Sequence, residues 1–340
     1  MDKEVRVAVE CPIDFIMIWV DGNDPEWQKE KRKYQPGDAA DDREIRYRDW
    51  DNLQYWFRAV EKFAPWVNRI HFVTCGHLPK WLNLEHPKLN IVKHSDFIPE
   101  EYLPTFNSHA IELNLHRIKG LSEHFVYFND DTFLNAKVKP EDFFKGGKPV
   151  DRLIISALCP NEDATSTVIY NNVRIINKHF SKKELIKSHW RQLFYPFYGP
   201  DGLKTFLTLP FTVFTGFQND HLPNAYTKSL FEEVWNCESE ILKDTCKDKF
   251  RSEQNVSQYT MRYWNLAKGN VSPCSYRHGK IFIIDSDEND ELLHAISKEK
   301  YKMICFNDSY KGNHFEVVKQ KLIRAFDKML PEKSSFEYGG

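Results

Sequence analysis

The chain has 340 residues, 41% of them hydrophobic and 28% charged, with a formal charge of -2. That length suits about two average domains or one large α/β domain with insertions. The composition excludes a disordered chain, and the charge supplies no basic field for gripping a nucleic-acid backbone, so no nucleic-acid partner is expected. Seven scattered cysteines with no C-x-x-C pair argue against a disulfide framework or a structural zinc site and for a reducing compartment. The opening MDKEVRVAVECP lacks a signal-peptide core and no stretch approaches a transmembrane helix, so a soluble cytoplasmic protein is expected.

Residues 13–20 (IDFIMIWV) form a near-continuous apolar run that stops at Asp21-Gly22, as expected of a strand buried on both faces. A charged, mobile segment is expected over 26–42. Leu53, Trp56, Phe57, Val60 and Ala64 then fall at helical spacing, and Pro65 ends that helix. Strands are expected at 70–74 and 89–92, a helix over 108–119 closed by Gly120, and a strand at 124–128 (HFVYF) that runs straight into Asn129-Asp130-Asp131. This order of elements implies a largely parallel sheet covered by helices.

One more strand is expected at 152–158. Residues 180–217 are dense in Phe, Tyr, Trp and Pro and carry no clear periodicity. Helices follow at 228–243 and 255–266, strands at 281–285 and 302–306, and an amphipathic helix with Phe315, Val318, Leu322, Phe326 and Met329 on one side. Residues 331–340 read as a polar tail.

In open α/β sheets, ligands bind beyond the carboxyl ends of the strands. Two acidic clusters are expected there: Asp21 with Asp24, and Asp130-Asp131. Adjacent carboxylates offer hard oxygen ligands to Mg²⁺ or Mn²⁺, ions that bridge the oxygens of a diphosphate. The bland alternative is that Asn and Asp simply form turns. Asn307-Asp308, directly after the strand at 302–306, would bring a further oxygen ligand to the same edge. The sequence has no G-x-x-x-x-G-K-[ST], no G-x-G-x-x-G, no G-x-S-x-G and no H-E-x-x-H. Residues alone therefore point to a metal-dependent enzyme acting on a phosphate-containing, nucleotide-linked substrate.

These motifs also resemble a family. IDFIMIWVDGNDP (13–25) resembles the first signature region of the Stealth proteins, and residues 48–144 resemble their long middle regions through RDWDNLQYWFRAVEKFAPWV, HFVTCGHLPKWL, LPTFNSHAIE and FVYFNDDTFL. DHLP (220–223), FRSE (250–253) and CFND (305–308) resemble the remaining signatures, in the right order.

The resemblance implies a hexose-1-phosphate transferase with a nucleotide-sugar-binding fold of the GT-A type. Residues 12–155 would form the nucleotide-sugar-binding core, 160–217 an aromatic-rich helical insertion, and 218–330 would complete the active site. An acceptor hydroxyl would attack the sugar-bearing phosphorus of a UDP-sugar, releasing UMP. The acceptor would be a glycan or a lipid-linked oligosaccharide of a bacterial surface polysaccharide.

Carried onto this sequence, the family's roles give Asp130 and Asp131 to the metal, with Asn307 as a neutral ligand. Asp21 and Gly22 would meet the nucleotide-sugar, and Arg251 the phosphate. His221 is the candidate general base, with Asp130 or Asp131 as the alternative. Asn107, Ser108 and Glu112 would line the substrate, although Asn107 or Ser108 also fits a helix N-cap. For Arg251 the bland alternative is an ion pair with Glu253.

Two rival functions stay open: a glycosyltransferase of the same fold that releases UDP, and a non-enzymatic carbohydrate-binding module. The aromatic segment is read three ways, as an acceptor groove, as core, or as a patch for peripheral attachment to the inner face of the membrane.

Overall fold

The computed structural model describes residues 11–35, 48–159 and 164–340. Strand β1 (Ile13–Ile18) is apolar except at Asp14 and lies at the centre of a five-stranded sheet. On one side come β2 (Ile70–Thr74) and then β3 (Leu89–Lys93); on the other lies β4 (His124–Phe128), and all four strands are parallel. The chain continues through β5 (Thr132–Leu134), β6 (Phe144–Lys145) and β7 (Lys148–Asp151) before β8 (Asn224–Thr227) pairs antiparallel with β4. The sheet order is β3-β2-β1-β4-β8. The chain thus leaves β1 toward one edge and returns on the opposite flank, which opens a crevice at the carboxyl ends of β1 and β4.

Alternation along the strands divides the core in two. Ile13, Phe15, Met17, Val126 and Phe128 point into one layer, filled by α2 (Leu53–Phe63), α9 (Asp290–Ser297) and α10 (Phe315–Met329). Beyond β9 (Ser272–Pro273), which pairs with β7, a small sheet joins that layer, with β10 (Gly279–Ile284) parallel to β11 (Met303–Asp308) and β11 antiparallel to β5. Ile16, Phe125 and Tyr127 point into the other layer, filled by α3 (Ser108–Leu113), α4 (Ala164–His179), α7 (Lys228–Lys247) and α8 (Tyr259–Ala267). Both faces are covered, which is why β1 and β4 read as unbroken apolar runs. The chain is an α/β protein with a mostly parallel central sheet flanked by helices.

Several expectations change. Residues 25–34, part of the segment expected to be mobile, form helix α1 (Pro25–Tyr34). It buries no residue and owes its form to its ends: Asp24 accepts from Trp27 N at 2.7 Å, Pro25 opens the first turn, and Lys31, Arg32 and Lys33 sit in the last. Residues 36–42 lie outside the described residues.

The helix expected over 108–119 stops at Leu113, where Asn114 Nδ2 donates back to Ala110 O at 2.8 Å and a single tighter turn follows. Residues 152–158 are no strand. Leu153 N and Ile155 N donate to the hydroxyls of Tyr198 and Thr205 instead of to a neighbouring strand, apart from one isolated bridge between Ile155 and Phe217. The aromatic segment is substantially helical, with α5 (Lys182–Leu193) and α6 (Leu203–Thr208).

The tail is also not a free polar end. Phe336 is buried beside Phe57, ring centroids 5.4 Å apart, and Glu337 forms a fork with Arg58 at 2.7 and 2.8 Å. Truncating Phe336 to Ala removes a packed aromatic ring from the core, at an expected cost of about 3–5 kcal/mol. A fall in the denaturant midpoint without a change in slope is the measurement.

Asp14 is wholly buried at the amino end of β1, where it accepts from Asn68 Nδ2 at 2.7 Å, Ser122 N at 2.7 Å and His71 Nε2 at 3.1 Å. Burial works against the carboxylate, but these donors outweigh it and hold its pKa below the ordinary value. A depressed folded-state pKa stabilises the fold above the ordinary carboxylate range, and that contribution is lost as pH falls through the depressed value. Asp14→Asn is expected to cost about 1–3 kcal/mol at neutral pH. It should also flatten the acid limb of a stability–pH profile recorded by urea unfolding.

Candidate active site

The turn after β1 is built by its own acids. Asp21 Oδ1 accepts from Asn23 N at 2.9 Å, and Gly22 O accepts from Gln28 Nε2 at 2.8 Å. The Asp21 backbone N–H donates to His77 Nε2 at 2.7 Å, so the turn is pinned to the loop that follows β2. Burial lowers the pKa of His77, with Asp21 and Asp24 opposing, which suits an unprotonated accepting nitrogen.

At the end of β4, Asn129 O accepts from Thr132 N at 3.0 Å and Thr132 Oγ1 at 2.8 Å, a tight turn that throws Asp130 and Asp131 to the sheet edge. The Asn129 side chain is held from below by Tyr127 OH at 2.6 Å. Asp131 Oδ2 lies 3.3 Å from His221 Nε2 and accepts from the Cys305 thiol at 3.3 Å. Asp131 Oδ1 is buried and has no hydrogen-bond partner among the described residues.

Negative charge here is not balanced by the fold. Asp130 opens to the cleft, yet the protein massed around it, then Asp131 and Asp49, push its carboxyl up to about 7. Asp49 is raised as well, by burial and by Asp51 and Asp21. Carboxylates that raise one another's pKa are those a cation would relieve. An orphaned buried oxygen on Asp131 fits the same group.

Asp131, His221 and Cys305 bring their ligand atoms within 4.8 Å of one another. Burial and Asp131 drive the Cys305 pKa well above its usual value, so the sulfur stays a thiol donor. The oxygen side of Asp131 therefore suits a hard divalent ion such as Mg²⁺ or Mn²⁺ better than a soft one. Asn307 lies two residues beyond Cys305 on β11, and alternation puts it on the same face as that thiol. Its neighbour Asp308 turns the other way, into a fork with Arg48 that includes contacts of 2.6 and 3.0 Å.

His221 sits on the loop before β8 with φ +46°, a left-handed conformation unusual for a residue other than glycine. Its neighbours hold it there. The Asn219 side chain accepts from His221 N at 3.1 Å, and Asp220 is gripped by Arg152, with Nε–Oδ2 at 2.7 Å. Arg262 donates to Gln218 O at 2.9 Å while forking onto Asp151. His221 Nδ1 meets Tyr259 OH at 3.0 Å, leaving Nε2 toward Asp131. Burial disfavours the imidazolium, but Tyr259 and Asp131 more than offset it, so the pKa moves up. An open recess adjoins His221, walled in part by Arg152, Asp220, Arg262 and Tyr276.

Arg251 donates to Ser108 Oγ at 3.2 and 2.5 Å, and its charge is felt by both Glu112 and Asp130. Two residues expected to line the substrate are buried behind the cleft. Asn107 is wholly buried: it caps α3 through His109 N at 3.1 Å, and its amide donates to Asn255 Oδ1 at 2.9 Å. It positions Ser108 and does not line the cleft. Glu112 is buried behind Tyr127, which donates to it at 3.2 Å. Burial raises its pKa, with Arg251, Tyr127 and Ser108 holding it back.

The structure thus joins Asp131 and His221 directly, places Asn307 on the strand face of Cys305, and couples Asp130 by charge to Asp131, to Arg251 and to Asp49, which in turn feels Asp21. Tyr259, Asp49, His77, Cys305 and Arg152 were not singled out from sequence. Cys305, His77 and Asp49 lie inside the quoted signature stretches, and Tyr259 lies within the helix expected at 255–266; Arg152 carries no local signal.

Residues 12–38 match the model of Stealth protein conserved region 1, and residues 46–150 that of conserved region 2. The chain is 45% identical to a capsular polysaccharide phosphotransferase, WcwK, of Streptococcus pneumoniae, over 96% of this chain and 98% of that protein. It is 38% identical to the exopolysaccharide phosphotransferase cps2G of Lactiplantibacillus plantarum, over 96% of each. Among solved structures, the galactosyltransferase LgtC is similar over 92% of this chain and 95% of its own, at 12% identity and a TM-score of 0.35. Identity of this order over nearly the whole length settles the lineage: the chain belongs to the Stealth family.

Proposed function

We propose that this chain transfers a sugar-1-phosphate from a UDP-sugar to a hydroxyl of a glycan or lipid-linked oligosaccharide in bacterial surface polysaccharide synthesis. The observation that carries the reading is the contact between His221 Nε2 and Asp131 Oδ2, beside the unpartnered Asp131 Oδ1, at the crevice between β1 and β4. The names of the capsular and exopolysaccharide phosphotransferases that match along the whole chain support it.

Asp131, Asp130 and Asn307 would hold a divalent cation, Mg²⁺ or Mn²⁺. Such an ion, when bound, offsets charge on the diphosphate and on the departing nucleotide. The Asp21-Gly22 turn, fixed by His77, lies across the crevice where the nucleotide-sugar would rest. Arg251, steadied by Ser108, presents a fork of donors to a phosphoryl oxygen.

In the reaction, the acceptor hydroxyl oxygen forms a bond to the sugar-bearing phosphorus, and the bond from that phosphorus to the bridging oxygen breaks. His221 takes the hydroxyl proton at Nε2 as the neutral imidazole, a form that its raised pKa shifts to the alkaline side, with the ring held by Tyr259 at Nδ1. UMP leaves with the bridging oxygen, and a sugar–phosphate–sugar diester remains. The recess beside His221 would seat the acceptor sugar. Because phosphoryl transfer needs little covalent help from protein, positioning and charge carry most of the rate.

Incubation with UDP-GlcNAc, UDP-Glc, UDP-Gal and UDP-GalNAc, with Mg²⁺ or Mn²⁺, should release UMP from at least one donor. EDTA should abolish that release. UDP as the sole nucleotide product would sink phosphoryl transfer in favour of glycosyl transfer.

Replacing His221 by Asn is expected to lower kcat by about 10²–10⁴-fold while leaving donor affinity nearly unchanged. Asp131→Asn should instead weaken the response to added metal, read as a rise in the metal concentration for half-maximal activity. Circular dichroism that matches the unsubstituted protein is the control, and full activity in both variants would remove these residues from the mechanism.

A further inference from the structure

Residues 190–213 carry an unusual amount of apolar surface. Leu207 is exposed by 75%, Leu203 by 63% and Phe197 by 60%, and Trp190, Phe206 and Phe211 are each more than half exposed. A large exposed apolar patch on one surface unit marks an interaction site, whereas a lone exposed leucine does not.

The unit is compact. Phe194 and Phe206 pack with centroids 4.5 Å apart, joining α5 to α6. The buried Lys182 ammonium donates to Thr208 O at 2.5 Å and Phe211 O at 2.8 Å, which closes the carboxyl end of α6 onto the start of α5.

Its charge has a definite sign. From 181 to 213 there are five cations (Lys182, Lys183, Lys187, Arg191, Lys204) against two acids (Glu184, Asp201), in a chain whose formal charge is -2. Asp201 is engaged by Arg152 and Lys204. Lys183 and Lys187 lie one turn apart on α5 as an exposed basic stripe, and Arg191, also exposed, follows the kink at His189. Arg191 stands 5.3 Å over the Trp190 ring, at the seam between the stripe and the apolar surface.

Apolar side chains bordered by a basic stripe, with aromatic rings at the boundary, match the surface of an anionic lipid bilayer. A second copy of this chain would bring two like-charged stripes together. No helix among the described residues is long and apolar enough to cross a membrane, so such contact is interfacial.

We propose that residues 190–213, with the α5 stripe, form a docking surface for an anionic phospholipid bilayer. The surface is fixed rigidly to the cleft. Arg152 holds Asp201 on the docking unit and Asp220 beside His221 with one guanidinium, and Tyr198 and Thr205 tie the unit to the backbone of residues 153 and 155. Docking therefore sets the distance of His221 from the lipid headgroups, which suits an acceptor carried on a lipid. The surface itself stands on exposure and charge, not on the transfer reaction.

The full chain is mixed with sedimenting vesicles of phosphatidylcholine alone, and of phosphatidylcholine with an equal share of phosphatidylglycerol. It should pellet with the second and bind less at high salt. Leu203→Glu with Leu207→Glu is expected to lower the bound fraction about tenfold or more. Lys183→Glu with Lys187→Glu should reduce binding to the anionic vesicles only.

All four positions are exposed, so thermal melts should coincide with the parent protein. Nucleotide release from a UDP-sugar, followed without lipid, should persist in both variants and separates this test from that of the reaction. The proposal is overturned if the parent protein stays in the supernatant, or if both variants pellet as it does. It is equally overturned if the leucine pair instead splits a dimer in sedimentation velocity while vesicle binding is absent.

Discussion

The parallel pairing of β1 with β4 is the constraint on which the site depends. Ile13 to Met17 lie opposite His124 to Phe128 in register, so the turns that follow the two strands emerge side by side. One turn carries Asp21 and the other Asp130 and Asp131, residues more than a hundred positions apart. Two acidic turns at one edge create a local excess of negative charge that the apolar strands beneath them cannot disperse. Asp130 and Asp49 are pushed upward first by burial, and the neighbouring carboxylates add to that push.

A second layer of constraint comes from buried ion pairs. Arg262 with Asp151, and Arg152 with Asp220 and Asp201, are poor bargains as stabilisers, because desolvating such charges consumes most of what their attraction returns. Their value is directional. A guanidinium fork fixes a carboxylate in the plane as well as in distance, so the loop from Gln218 to Pro223 has little freedom. His221 can then sit in a left-handed backbone conformation that an unsupported loop would leave. Hydrogen bonds from Asn219 and Tyr259 complete its orientation.

What could be read from the sequence follows the range of the forces involved. The strand at 13–20, the helix that begins at Leu53, the strand at 124–128 and the last helix carry patterns set by local periodicity and by burial on known faces, and they were legible. So was the pairing of acidic turns with strand ends. Asn107 and Glu112 are buried, Asn107 as the N-cap that the sequence also allows, because a polar residue in a signature stretch can serve the site from behind. Only the depth of each side chain tells those cases apart.

Within the helical insertion the boundaries of α4 and α5 carry little periodic signal, because polar residues such as Asn171 and Asn172 pair at long range with the segment around 253–257. The end of the chain misled for a similar reason. Among the polar letters of PEKSSFEYGG, one Phe and one Glu have buried partners some 280 positions earlier.

That last contact has a consequence for how the protein is made. Arg58 and Glu337 are 279 residues apart, and Phe336 closes a layer whose other walls are α2 and the neighbourhood of Trp81. A nascent chain therefore carries an incomplete apolar layer until residues 336 and 337 have been made. Parallel strand pairing already delays folding, because long loops must close before the contacts form. Here the seal arrives later still, after residue 337 has cleared the ribosome.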